Sequence, residues 1–272
     1  MTLIKSISGI RGTIGGSIGE NLTPLDAVKF AAGYGAWLKS RHDKCTVVIG
    51  RDARPSGQMI ENLVISTLQG LGIDVINTGL STTPTVEMLV VKEKAAGGII
   101  LTASHNPKQW NALKLLNAEG EFISAEQGAA IIDKVKSSNF EYNEIDSIGS
   151  YELMEGTIDW HIDEIIKLSM VDVEAISKRN FTIAVDAVNS TGGIAVPALL
   201  RKLGVQDVIE MSCEPTGKIP HNPEPLEKHL SAIIEASKNG NYDMGIVVDP
   251  DVDRLAFIDE NGKMFGEEYT LV

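Results

Sequence analysis

Three carboxylates stand at alternate positions in Asp249-Pro250-Asp251-Val252-Asp253-Arg254, directly after the apolar run Met244-Gly245-Ile246-Val247-Val248. Two-residue spacing can aim all three the same way. Two such charges about 4 Å apart repel by ~4 kcal/mol at an effective dielectric of about 20, so a converging trio requires a cation or raised pKa values. Hard oxygen ligands point to magnesium, with coordination positions left for a phosphate oxygen. A calcium EF-hand loop spaces its acids in the same way, and Glu260 falls where that loop places its twelfth-position glutamate. Arg254, however, takes the place of the required glycine, and the flanks 245–248 and 255–258 read as strands where an EF-hand needs helices. From these residues alone, a solvated acidic turn remains the alternative to a divalent site.

A second segment, Thr102-Ala103-Ser104-His105-Asn106-Pro107, follows the apolar run Gly98-Ile99-Ile100-Leu101. A loop at a strand end can present the Ser104 hydroxyl to a ligand, although Ser-His-Asn-Pro is equally the composition of a turn or helix cap. A serine hydrolase is disfavoured: there is no G-x-S-x-G elbow, and adjacent Ser104 and His105 side chains need not converge. A third segment, Ser8-Gly9-Ile10-Arg11-Gly12, sets an arginine between glycines, with Gly15, Gly16 and Gly19 close behind. Backbone N–H groups and a guanidinium so placed can meet a phosphate, but the lysine and spacing of a Walker loop are missing. A flexible glycine-rich N-terminus is the other reading.

The remaining sequence limits which chemistry these segments can serve. At 272 residues the chain has length for about two domains, each with an ordinary core. Its net charge of -13 repels nucleic acid and anionic lipid, and no basic run interleaved with aromatics offers a local exception. No nucleic-acid or membrane partner is expected. Residues 1–12 lack a signal-peptide apolar run, and no segment approaches ~18 uninterrupted apolar residues. Cys45 and Cys213 match no zinc or redox spacing. The expectation is a reduced, cytoplasmic protein, and no coiled-coil repeat or apolar stripe indicates an oligomeric state.

Short β-branched runs alternating with longer amphipathic stretches define an α/β class. Strands are expected at 46–49, 73–76, 98–101, 181–185 and 244–248, and helices at 24–39, 56–71, 124–135, 191–203 and 226–238. Thr23, Ser56 and Ser124 are the expected N-caps, with Pro24 at a first helical position. A polar stretch without clear period, 137–155, marks a domain boundary. The runs ending at Asp52, Asp186 and Asp249 each close an apolar strand on a polar turn, where ligands of open α/β sheets gather.

Together these segments resemble the α-D-phosphohexomutase superfamily, which includes phosphoglucomutase, phosphomannomutase and phosphoglucosamine mutase. Residues 8–12 are similar to its N-terminal G-I-R-G segment, 102–107 to its phosphoserine loop and 249–254 to its D-x-D-x-D-R metal loop, in the same order and separation. Further agreement lies in Gly50-Arg51-Asp52-Ala53-Arg54, Asn111-Ala112-Leu113-Lys114, Val185-Asp186-Ala187-Val188-Asn189 and His221-Asn222-Pro223-Glu224-Pro225.

The resemblance implies a hexose 1-phosphate/6-phosphate interconversion through phosphorylated Ser104 and a hexose bisphosphate, which serves as intermediate and activator. Magnesium would be held by Asp249, Asp251, Asp253 and an oxygen on Ser104. Arg11 and Arg254 would steady the phosphoryl group, Lys114 would move the sugar hydroxyl proton and contact substrate, and His105 would position. Arg51 and Arg54 fit structural ion pairs beneath the loop at least as well as phosphate contact. The implied architecture is two three-layer α/β/α domains with mixed, largely parallel sheets plus the start of a third: 1–150 with the phosphoserine loop, 151–258 with the metal loop, and 259–272. The family's sugar-recognition and phosphate-grasping loops lie in later domains absent from this sequence, so an incomplete fragment with little mutase turnover is expected. A magnesium-dependent sugar phosphatase and a noncatalytic phosphosugar-binding module are the alternative functions.

Overall fold

The structure is a computed structural model that describes residues 1–6, 9–240 and 242–265. The chain forms two α/β domains with mixed sheets. By contact, the first unit holds Met1–Arg51, Ser56–Ala103 and Gln109–Glu155; the second holds Asp52–Pro55, Ser104–Lys108 and the chain from Gly156 onward.

In chain order the first unit contains β1 (Ile4–Ser6), β2 (Gly9–Thr13), α1 (Pro24–Lys39), β3 (Thr46–Arg51), α2 (Gly57–Gly70), β4 (Asp74–Leu80), α3 (Thr83–Lys92), β5 (Gly97–Leu101), β6 (Trp110–Leu116), α4 (Ala125–Ser137) and β7 (Tyr151–Leu153). The sheet order is β1-β2-β6-β5-β3-β4-β7. β5, β3, β4 and β7 pair in parallel, whereas β6, β2 and β1 join antiparallel. The sheet is therefore less parallel than the sequence suggested. The cause lies after β5, where a short loop turns the chain straight back into β6 and leaves no length for a crossover helix.

Successive β3 side chains take opposite faces, as a period of two requires. Val47 and Ile49 share a core with Phe30 of α1, Leu68 of α2 and Ile131 of α4, while α3 packs against β3 and β5. β5 is buried throughout, and its glycines permit close approach: a Cβ on Gly97 would fall 2.1 Å from the Tyr34 hydroxyl oxygen. That hydroxyl donates to the Leu116 carbonyl at 2.7 Å.

The second unit contains α5 (Thr157–Ile166), α6 (Val173–Ser177), β8 (Thr182–Asp186), α7 (Gly192–Lys202), β9 (Asp207–Met211), α8 (Ser231–Lys238), β10 (Met244–Val248) and β11 (Leu255–Asp259). Its sheet order is β11-β10-β8-β9, with β10, β8 and β9 parallel and β11 antiparallel to β10. Ile183, Val185, Ile246 and Val248 pack with Val196 and Leu200 of α7; Ala184 and Val247 pack in another cluster with Ile233 of α8 and Tyr242. The helix expected over 226–238 divides into a 3-10 turn, Glu227–His229, and α8, because Leu230 (φ -109°, ψ 26°) leaves helical geometry.

Both cysteines are free. Among the described residues no helix is long and apolar enough to cross a membrane. The third-domain start expected at 259–272 falls largely outside the described residues, of which Phe265 is the last.

Local capping explains two helix starts and corrects a third. Thr23 and Asp26 form a reciprocal capping box before α1, as do Ser124 and Gln127 before α4. Ser56 makes no side-chain cap before α2, and its Oγ instead accepts from Asn111 Nδ2 at 2.9 Å. Thr23→Ala removes one half of the α1 box and should cost about 1 kcal/mol. Urea unfolding should register this as a lower midpoint with an unchanged slope.

Candidate active site

The hairpin joining β10 to β11 brings the three acids together. Val248 is paired with Leu255, so the intervening loop is held at both ends by antiparallel strands rather than by the helices of an EF-hand. Asp249, Asp251 and Asp253 each offer an oxygen, and these lie within 4.8 Å of one another. Asp249 and Asp251 are fully buried and Asp253 is exposed. Burial pushes the Asp249 carboxyl well above the ordinary carboxylate range, helped by the neighbouring charges of Asp251 and Asp253 and opposed by the Ser104 hydrogen bond. The donor set is all hard oxygen and carries surplus negative charge. It fits a hard divalent cation with room for further oxygen ligands.

The Asp249 carboxylate also shapes the loop that contains it. Its Oδ1 accepts from the backbone N–H groups of Asp253 at 3.2 Å and Arg254 at 3.1 Å. Val252 is forced to φ +63°, a rare conformation for a β-branched residue. The Pro250 carbonyl accepts from the hydroxyls of Ser190 (2.7 Å) and Thr191 (2.8 Å), at the start of α7. The sequence reading missed this pair, whose signal is two adjacent hydroxyls on the polar turn after β8.

Ser104 stands against the carboxylates. Its Oγ donates to Asp249 Oδ2 at 2.7 Å, and His105 Nδ1 is 3.3 Å from the same oxygen. Ser104 adopts φ +49°, in the left-handed region. Below it Arg54 pairs with Asp52, Nε to Oδ2 at 2.8 Å, both side chains being buried. Arg51 pairs instead with Glu61 at 3.1 Å, so each arginine makes an ion pair, one of the two roles that the sequence left open for them.

Arg254 Nη1 lies 3.4 Å from Glu224 Oε1. Glu224 belongs to the proline-bounded loop in which His221 Nε2 meets Asp186 Oδ2 at 2.9 Å. The Asp186 hydrogen bond raises the His221 pKa against the opposing effect of partial burial. Sequence singled out His221 and Glu224 without assigning them these partners.

Arg11 and Lys114 belong to the first unit. In the β2–β6 pairing Gly9 faces Lys114 and Arg11 faces Ala112, which sets the two cations on one face of the sheet. Arg11 is exposed, and Lys114 Nζ lies 5.6 Å from the Phe122 ring centroid. Gly9 is part of the packed sheet rather than a flexible tail: at φ +133° it would drive a Cβ to 1.9 Å from the Leu113 carbonyl oxygen. Ser8, the first residue of that motif, lies outside the described residues.

Residues 3–142 match the family model described as phosphoglucomutase/phosphomannomutase, alpha/beta/alpha domain I, and residues 159–262 match that of domain II. A Thermococcus kodakarensis protein named phosphoglucomutase/phosphomannomutase is 37% identical over 266 residues, covering 95% of this chain and 57% of its own. A protein of Methanosphaera stadtmanae named "Probable phosphoglucosamine mutase" is 34% identical over 264 residues, covering 96% and 57%. Among solved structures, a phosphoglucomutase/phosphomannomutase family protein from Burkholderia thailandensis superposes with a TM-score of 0.82 at 25% identity, covering 96% of this chain and 55% of that one. The chain thus spans little more than half the length of these relatives.

Two predictions test the electrostatics. Asp251→Asn removes one like charge from the cluster and should raise the Tm in a chelator by about 2–4 °C, the shift that ~1 kcal/mol makes in a chain of this size. Magnesium should raise the Tm of the parent chain and leave that of the variant nearly unmoved. Because the folded state raises the His221 pKa, its stabilisation is complete below the unfolded value of about 6.5 and fades as pH rises through the higher folded value. Relative to His221→Asn, the parent chain should therefore lose Tm as pH climbs above 6.5; a difference that grows with pH would contradict the assignment.

Proposed function

The chain belongs to the α-D-phosphohexomutase family, and from that premise we propose that it carries the phosphoryl-transfer machinery for interconverting hexose 1-phosphate and 6-phosphate, with Ser104 as the phosphate carrier. The observation that supports this most directly is the 2.7 Å contact between Ser104 Oγ and Asp249, which sets a hydroxyl at the edge of a carboxylate cluster suited to a divalent ion.

In the first half-reaction a sugar hydroxyl oxygen attacks phosphorus on phosphorylated Ser104. The bond from phosphorus to Oγ breaks, the bond to the sugar oxygen forms, and the product is a hexose bisphosphate. The proton lost by the sugar hydroxyl is matched overall by one gained at Ser104 Oγ. Lys114 is assigned to take the first, and His105 Nδ1, 3.3 Å from Oγ, is in reach to orient the second. The second half-reaction runs the same chemistry in reverse on the other phosphate, so Ser104 ends phosphorylated and the hexose monophosphate leaves isomerised.

Asp249, Asp251 and Asp253 would hold magnesium, which when bound lowers the cost of negative charge on the transferring group. Arg11 and Arg254 are assigned to the phosphoryl oxygens, a role suited to a planar and permanently charged guanidinium. A phosphoryl group at Arg254 has to compete with Glu224, and the 3.4 Å separation leaves that contact easily exchanged. Uncatalysed phosphomonoester chemistry is slow enough that enzymes supply up to ~10²¹-fold, so this concentration of charge-matching groups is required.

Incubated with magnesium and glucose 1,6-bisphosphate, the chain should gain one phosphoryl group by intact mass and release hexose monophosphate; Ser104→Ala should gain none. A variant phosphorylated as fast as the parent would refute the carrier assignment. Stoichiometric release of inorganic phosphate would identify a phosphatase instead.

A further inference from the structure

The segment 52–55 interrupts the first unit in sequence yet groups by contact with the second, as does the Ser104 loop at 104–108. Its central side chain, Arg54, is 2% exposed, which excludes it as an open phosphate ligand. The guanidinium is spent on backbone. Nη1 donates to the Pro107 carbonyl at 2.8 Å, and Nη2 donates to the carbonyls of Asn106 at 2.7 Å and of Ser104 itself. Nε donates to Asp52 Oδ2, while Asp52 Oδ1 accepts from the Arg54 backbone N–H at 3.0 Å. Asp52 thereby fixes the plane of the fork, and the fork fixes three carbonyls around one turn of the loop.

The base of this clip is tied to the metal loop. The Ala53 N–H donates to Ser190 Oγ at 3.2 Å, and Ser190 Oγ donates to the Pro250 carbonyl, between Asp249 and Asp251. On its other side the Ala53 carbonyl is approached by Gly217, where a Cβ would fall 1.9 Å from that oxygen. One continuous hydrogen-bonded path therefore runs from the backbone at Ser104 through Arg54 and Ala53 to the backbone of the carboxylate loop. The path parallels the direct Ser104–Asp249 contact and does not depend on the state of the serine oxygen. When Oγ carries phosphate it has no proton to donate to Asp249, so the direct contact is lost while the Arg54 path persists.

We propose that Arg54, oriented by Asp52, is a positioning residue that keeps the Ser104 backbone in register with Asp249, Asp251 and Asp253 when the serine oxygen is phosphorylated. This rests on the phosphate-carrier reading of Ser104. Lysine at 54 would keep the charge but provide a single ammonium in place of a planar fork, and so could not grip Ser104, Asn106 and Pro107 together.

The test compares the chain with Arg54→Lys and Asp52→Asn. Phosphorylation from glucose 1,6-bisphosphate is followed by intact mass, magnesium affinity by the metal-dependent Tm shift, and backbone protection at 104–108 by hydrogen exchange. Misplacement of a reacting group by about 1 Å costs on the order of 100-fold in rate. Arg54→Lys should therefore lower the maximal phosphorylation rate about 100-fold, with the half-saturating bisphosphate concentration and magnesium affinity nearly unchanged and exchange at 104–108 accelerated. Asp52→Asn, which keeps the side-chain shape, should fall between the two and decides the matter if the lysine variant does not fold. Parent-like rate and exchange in the folded variants would overturn the inference, as would a change confined to half-saturation. If the parent chain itself takes up no phosphate, the carrier reading fails, and unchanged exchange at 104–108 in the variants would separately reject the clip.

Discussion

Asp249 is buried beside two further carboxylates, and this accumulation of negative charge is the constraint to which the surrounding loops answer. Two carboxylates about 4 Å apart repel by ~4 kcal/mol at an effective dielectric of about 20, and removal from water adds to that cost. The fold meets part of it with donors: two backbone N–H groups and the Ser104 hydroxyl all point at Asp249. The remainder raises the carboxyl pKa or calls for a cation. A cluster that costs stability in the bare protein is what would be expected where charge is stored for a ligand.

The elements were legible where their patterns were local and strong. The capping box at Thr23 and the β-branched run 244–248 gave α1 and β10 their observed bounds. β2 was not legible, because Gly-Ile-Arg-Gly reads as loop by composition. Gly9 serves the close approach of β2 to β6 and Gly12 that of β2 to Leu22, tertiary relations with no local signature. Helix α3 was missed although Thr82 and Pro84 repeat the start signal of Thr23 and Pro24; its short length between two strands hid the periodicity. β6 returns antiparallel for want of a crossover, so it escaped a reading tuned to βα units.

The candidate site divides in the same way. Asp249, Asp251 and Asp253 could be read directly, because their spacing is itself the geometry. Ser104 could not: alone it has the composition of a turn, and only the accompanying motifs single it out as a candidate for phosphate transfer. Ser190, Thr191 and the Arg54 clip lie one step further away. They act on backbone carbonyls, which carry no residue identity, so no spacing in sequence discloses which hydroxyl or guanidinium will find them. The function of such residues emerges only when the three-dimensional path from one loop to the other is traced.

Backbone strain is also present in these loops. Ser104, Val188, Asn189 and Val252 all hold positive φ, each at a cost of roughly 1–3 kcal/mol. Glycine would relieve any of them, but at two positions it would remove something the site uses. Ser104 provides the oxygen that meets Asp249. Val252 packs into the apolar cluster beneath the sheet, where its methyls anchor the turn that spaces Asp251 from Asp253. The strain persists because the surroundings fix it from several sides: Asp249 draws in the N–H groups that follow Val252, and Arg54 holds the carbonyl of Ser104. Reactive geometry and local preference therefore conflict at the residues where the chemistry is assigned, and the buried hydrogen bonds around them decide the outcome in favour of the geometry.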